Sequence, residues 1–133
     1  MLDTGVLVSG FVFGGTPEKA VKKAVTEYQV YVCPELLAEY RDVPLTLETQ
    51  GKIDHSQLKA LLAGIASVVS TSRVVRIHRR LEICRDPKDN ILIECCLAAK
   101  ATVLVTGDKD LLSVVDLPFQ LKIVSPRHFV ESL

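Results

Sequence analysis

The sequence predicts an α/β sandwich built on parallel strands, and three observations predict it. Short β-branched runs alternate with longer stretches of helical periodicity, the pattern that parallel strands joined by helical crossovers produce. Apolar residues make up 48% of the 133-residue chain, enough to bury a core in one compact domain over residues 1–133. Acids recur directly after apolar strands, where open α/β sheets gather their ligands.

The elements follow in order along the chain. The first apolar run, Leu2 to Val8, contains Asp3. Thr16-Pro17 supplies an N-cap and a first-turn proline for a helix ending near Tyr28. Val30-Tyr31-Val32 reads as a short strand, and Pro34 opens a helix through Leu36, Leu37, Glu39 and Tyr40. Asp54 or Ser56 caps the next helix, where Leu58, Leu61, Leu62, Ile65 and Val69 repeat at helical spacing. Val74 to Ile77 is strand-like. Asp89 is expected to cap a helix carrying Ile91, Leu92, Cys95 and Ala98. Ala101 to Thr106 is the clearest buried strand. Gly107-Asp108 turns out of it into a short helix at Leu111-Leu112. Leu121 to Val124 is the last strand, and Ser125-Pro126 caps a final helix with Phe129 and Val130.

Composition removes several function classes. Sixteen basic and sixteen acidic residues give a formal net charge of zero, so any phosphate contact must come from a local patch. Zero net charge also gives little self-repulsion, which favours association. With 5% aromatics and no Trp, no stacking platform for single-stranded nucleic acid is evident. The four cysteines, Cys33, Cys84, Cys95 and Cys96, form no C-x-x-C pair, which argues against zinc. They are expected to be free thiols in a reducing cytoplasm, since neither a signal peptide nor an 18-residue apolar stretch is visible.

Four acids carry the chemistry. Asp108 ends the strand Val103 to Gly107, Asp3 lies in the first apolar run, and Asp89 opens a helix near the same sheet edge. Glu39 lies on a helix whose neighbours Leu36, Leu37 and Tyr40 look core-facing, which aims it partly inward. Carboxylates converging without matching cations must share protons, take raised pKa values or bind a cation. A hard divalent ion, Mg²⁺ or Mn²⁺, is the natural partner, and an ion-activated water can attack phosphorus. Each acid alone has a plainer reading: Asp89 as a helix cap, Asp108 as a turn residue, Glu39 as a surface acid. The set is more specific than any member.

Asp3-Thr4-x-Val6-Leu7-Val8-Ser9, then Glu39, then Asp86-Pro87-x-Asp89-Asn90, then Val105-Thr106-Gly107-Asp108-Lys109-Asp110 resembles the ordered motifs of PIN domains over nearly the whole chain. Within that family it resembles the toxin components of toxin–antitoxin pairs related to virulence-associated-protein-C-type toxins. The resemblance implies a three-layer α/β/α sandwich with a central, mostly parallel sheet. It implies a metal-dependent endoribonuclease, usually a homodimer, held inactive by a cognate antitoxin protein, with RNA as substrate. It implies Asp3, Glu39, Asp89 and Asp108 as the catalytic, metal-holding acids. It implies Asp86 as an additional metal-binding acid that would support or substitute for Asp89. It implies supporting roles for Ser9, Thr106 and Asp110, Ser9 and Thr106 by donating hydrogen bonds and Asp110 as a weaker acid or helix cap. Two departures fall at the first acid: the family has Asn where this chain has Gly5, and a longer strand ahead of Asp3 where this chain has only Met1 and Leu2.

Other features read both ways. Arg73, Arg76, Arg79, Arg80 and Arg85, with His78, form a basic stretch leading to Asp86. Arg79, Arg80 and Arg85 are candidates for steering RNA phosphates, against the plainer reading of a solvated loop. His55, His78 and His128 lack metal-ligand spacing. Gly14-Gly15 before Thr16-Pro17 reads as a turn, since no Walker signature accompanies it. Two alternatives to the ribonuclease stay open. One is a PIN fold that has lost activity and acts only as a binding module. The other is a phosphatase with Asp3 as nucleophile, which lacks the second Asp that such chemistry needs, Gly5 standing in its place.

Overall fold

A computed structural model describes all of residues 1–133. Its chain begins with Met1–Asp3 laid parallel to a central strand. Seven helices and four short strands follow: α1 (Thr4–Phe13), α2 (Gly15–Glu27), β1 (Tyr31–Val32), α3 (Pro34–Thr49), α4 (His55–Ser70), β2 (Arg73–Val74), α5 (Pro87–Ala99), β3 (Val103–Val105), α6 (Lys109–Leu112), β4 (Lys122–Val124) and α7 (Pro126–Ser132).

Every strand pairing is parallel, as the alternation predicts. β1 pairs with β2 and β3 with β4, while Leu2 bridges Val105 on the other side of β3. The fold is therefore α/β. The expected single central sheet is not seen: the strands form two separate two-stranded pairs, and helices dominate the chain.

The apolar run Leu2 to Val8 is helical from Thr4 onward. Met1 and Asp3 spend their backbone groups on β3: Val105 N–H donates to the Met1 carbonyl, and Asp3 N–H to the Val105 carbonyl, both at 3.0 Å. The chain then turns into α1, which is apolar on most sides because it packs against α2, α3 and α4. A helix that is apolar on nearly every face loses the periodicity that distinguishes helix from strand. α1 ends at Gly14, whose φ of 76° is a conformation that glycine adopts at little cost.

The other boundaries follow local chemistry. Asp54, not Ser56, caps α4 in a reciprocal capping box: Asp54 Oδ1 accepts from Gln57 N–H at 2.7 Å, and Gln57 Oε1 accepts from Asp54 N–H at 2.9 Å. α5 starts earlier than expected. Asp86 is its N-cap and Pro87 its first residue, which leaves Asp89 inside the first turn. Ser125 caps α7 by accepting from His128 N–H.

One core holds these layers together, with Leu7, Tyr40, Leu61, Ile93, Leu104 and Phe129 among its fully buried side chains. α5 packs on β1, which brings Cys95 against Cys33 at the end of that strand. The two are joined as a disulfide, with Cα atoms 6.1 Å apart, so the expectation of four free thiols holds only for Cys84 and Cys96. No helix is long and apolar enough to cross a membrane.

Candidate metal and phosphate site

Parallel pairing decides where the acids go. Met1–Asp3 and β3 run side by side in one direction, so Asp3 and Thr106-Gly107-Asp108 emerge at the same strand ends. Asp3 is the N-cap of α1 but its carboxylate caps nothing. Instead Asp3 Oδ2 accepts a 2.6 Å hydrogen bond from the Thr106 hydroxyl. That hydroxyl in turn accepts from Asp108 N–H at 3.0 Å. Thr106 is fully buried, so one side chain ties the first acid to the backbone of the last.

Asp89 and Asp86 come from the start of α5. Asp86 Oδ1 accepts from Lys88 N–H at 3.0 Å. Asp108 is the N-cap of α6, accepting from Asp110 N–H at 2.8 Å, and Asp110 accepts from Arg85 across the site at 3.2 Å. All five acids therefore sit at helix N-termini, whose partial positive charge favours them there.

The electrostatics report proximity. Partial burial first, then the charges of Asp108, Asp86, Asp3 and Asp110, push Asp89 up to about 6. Burial also raises Asp3; the Thr106 hydroxyl and the Thr4 backbone oppose that, and the charge of Asp108 adds to it. These carboxylates repel one another with too little cationic charge among them. Yet no three of them approach one point closely enough to form a ready-made ion cage. Their oxygens suit a hard divalent ion in type, and such an ion needs only one or two protein carboxylates when it keeps its waters. The buried Thr4 hydroxyl beside Asp3 has no hydrogen-bond partner.

Glu39 stands to one side. It is partly buried on α3 and lines a cleft of about 440 Å³ with Glu35, Asp42, Thr46, Lys88 and Ile91. It is absent from the charges that raise Asp89 and Asp3. Its link to the site runs through its neighbour Tyr40, whose buried hydroxyl donates to the Leu2 carbonyl beside Asp3. Burial, then the charges of Asp3 and Glu39, raise the Tyr40 phenol far above its usual range.

Ser9 is not brought to the cluster. It lies six positions along α1 from Asp3, about 9 Å down the axis, and its side chain bonds none of the acids. Of the basic stretch, Arg80 is taken up by Glu94 at 3.2 Å and Arg85 by Asp110, while Arg79 has no acidic partner. Sequence reasoning missed three residues here: Tyr40 as a tie, Asn90 as a backbone acceptor and donor, and Glu94, a buried carboxylate. A lone acid inside Ile91-Leu92-Ile93-Glu94-Cys95-Cys96 was the available signal, since a charge in a buried run needs partners.

Comparison with known proteins bears on this geometry. A family model described as PIN domain matches residues 1–110, a span that holds all the candidate acids. The chain is also similar to an uncharacterized protein of Methanocaldococcus jannaschii, 28% identical over 141 residues that cover 98% of this chain and 88% of that protein. No solved structure matches.

Proposed function

The chain belongs to the PIN domain family, and from that premise we propose that it is a metal-dependent endoribonuclease. PIN domains are generally nucleases and typically use divalent metals. The observation that carries the reading is the Asp3–Thr106–Asp108 link beside Asp89, with the charges of Asp3 and Asp108 among the causes of Asp89's raised pKa. Asp3, Asp89 and Asp108 would hold Mg²⁺ or Mn²⁺, with Asp86 as a further ligand and Glu39 approaching from the α3 cleft. A divalent ion bound there lowers the pKa of water and offsets charge on the phosphate. Thr106 fixes the orientation of Asp3, Asp110 holds Arg85 at the rim, and Arg79, Arg80 and Arg85 draw RNA phosphates toward the acids. Ser9 has no part in this arrangement.

Incubation with structured RNA and Mn²⁺ tests it. Cutting is expected to vanish in EDTA and to fall more than about 100-fold in Asp108→Asn. Cutting without metal, or an unimpaired Asp108→Asn enzyme, refutes the mechanism.

The motif likeness further supports a toxin of a toxin–antitoxin pair, working in the cytoplasm as a homodimer restrained by its antitoxin. Phe13 and Val115, the most exposed large apolar side chains, offer contact surface. Sedimentation of the purified chain as a monomer at micromolar concentration counts against the dimer. A second reading, a PIN fold acting only by binding a partner, draws support from Gly5 and from the absence of a ready-made ion cage. Calorimetry separates the two: the nuclease binds Mn²⁺, and the binding module does not.

A further inference from the structure

Residues 75–86 join β2 to α5 without regular structure and carry Arg76, Arg79, Arg80 and Arg85. Such a segment must satisfy its backbone groups elsewhere. Two side chains one helical turn apart on α5 do so. Asn90 Oδ1 accepts from Ile83 N–H at 3.0 Å and from Cys84 N–H at 2.7 Å, and its Nδ2 donates to the Cys84 carbonyl at 3.1 Å. Glu94 Oε2 accepts from Leu81 N–H at 2.8 Å, while its Oε1 takes the Arg80 guanidinium. Glu94 is only 4% exposed, and these two bonds are its compensation for burial.

The segment so held reaches the acids. Cys84 lies within the field of Asp89, Asp108, Asp110 and Asp86, and Arg85 pairs with Asp110. The helix that presents Asp89 thus also fixes the basic segment that borders it, through residues spaced i and i+4.

We propose that Glu94, with Asn90, is a positioning residue that holds residues 79–86 as the phosphate-binding wall of the acid site. The inference rests on the nuclease reading, because it assigns the wall an RNA backbone to bind. Glu94 touches no substrate: it holds Leu81 N–H and anchors Arg80, while Asn90 holds Ile83 and Cys84, so that Arg79 and Arg85 stand on a fixed backbone. Its loss should therefore weaken RNA binding while leaving the acids intact.

The experiment compares wild type, Glu94→Ala and Glu94→Gln. Amide exchange is followed over residues 79–86. Steady-state cutting of a labelled RNA is measured with Mn²⁺, and RNA affinity is measured in an Asp108→Asn background. In Glu94→Ala, protection at Leu81 falls, KM and Kd for RNA rise about tenfold, and kcat stays within about twofold. Glu94→Gln keeps an acceptor for Leu81 N–H and loses only the charge opposite Arg80. It therefore keeps the protection and shows a smaller rise in KM, and it serves as the test if Glu94→Ala fails to fold. Unchanged exchange and affinity in Glu94→Ala, or a fall in kcat at constant KM, overturns the proposal. A wild-type protein that cuts no RNA counts against the nuclease reading alone, and the exchange and affinity arms still judge the wall.

Discussion

Asp89 illustrates what an acid cluster costs the fold. Its folded pKa, pushed up to about 6 by burial and by four neighbouring carboxylates, lies above the ordinary value of 3.8 that it has when unfolded. Between those values the folded state binds more protons than the unfolded one, so this group's contribution to stability falls as pH rises from about 4 to about 6. At neutral pH the Asp89 charge therefore destabilises the apo protein. Screening by the solvent that reaches this carboxylate reduces the penalty to about 1 kcal/mol. Asp89→Asn should raise the apo melting temperature at pH 7 and lose that advantage near pH 4, as thermal melts in EDTA would read, while abolishing RNA cutting. An Asp89→Asn protein less stable than wild type at pH 7 would contradict the electrostatic account. Thr106 makes the complementary case. Thr106→Val leaves Asp3 without its donor and Asp108 N–H without its acceptor, and denaturant melts should show a loss of about 1–3 kcal/mol, with Thr106→Ser restoring most of it. Asp3, Asp89 and Asp108 were legible in the sequence because each sits beside a glycine, proline or apolar strand that marks a strand end or helix start. Tyr40 and Glu94 were not, because their roles depend on partners 38 and 13 positions away.

Among the elements, legibility followed the caps, except that Thr16, expected as an N-cap, lies inside α2, whose N-cap is Gly14. Pro34, Asp54 and Ser125 each announce a helix start through a side chain or ring that acts within four residues, and the structure puts helices there. α1 had no such announcement. Its N-cap carboxylate is turned to Thr106, and its apolar surface is nearly continuous, so Leu2 to Val8 was open to a strand reading. The Cys33–Cys95 link was equally hidden, since the two residues stand 62 positions apart and meet only because α5 packs on β1. α1 also carries a weak point that substitution can probe. Gly5 is exposed in its first turn, has no positive φ, and has nothing within 4 Å of the place a Cβ would occupy. Gly5→Ala should therefore stabilise the protein by roughly 0.5–1 kcal/mol, read by chemical denaturation. Gly64 in α4 is the contrast. A methyl group there would meet the Phe11 ring at 2.5 Å, so Gly64→Ala should force α1 and α4 apart and lower the melting temperature.

For the whole molecule, a net charge of zero conceals a segregated distribution. Asp3, Asp86, Asp89, Asp108 and Asp110 collect at three helix N-termini on one side of the strands, while the basic segment is fastened beside them by Asn90 and Glu94. Alternating strands and helices predict acids at strand ends and helix starts, and Asp3, Asp89 and Asp108 stand at such positions even though the continuous sheet did not form. Parallel pairing of Met1–Asp3, β3 and β4 is sufficient to bring the strand ends to one edge. The repulsion left among the acids is the free energy that a bound cation relieves, and this links function to global stability. An ion that binds only the folded chain stabilises it by about 2.7 kcal/mol when present at 100 times its dissociation constant. For a domain of this size that corresponds to several degrees in melting temperature. Titrating Mn²⁺ into the metal-free protein should therefore raise its melting temperature in a saturable way at constant ionic strength. The same titration should leave Asp108→Asn nearly unmoved, because one acid of the cluster no longer carries charge. It should also reverse the ranking of wild type and Asp89→Asn at pH 7: the variant is the more stable without metal, and wild type is the more stable with it. A uniform shift in all three proteins would mean that the ion is screening surface charge rather than binding among the acids, and the assignment of this edge as the metal site would fail.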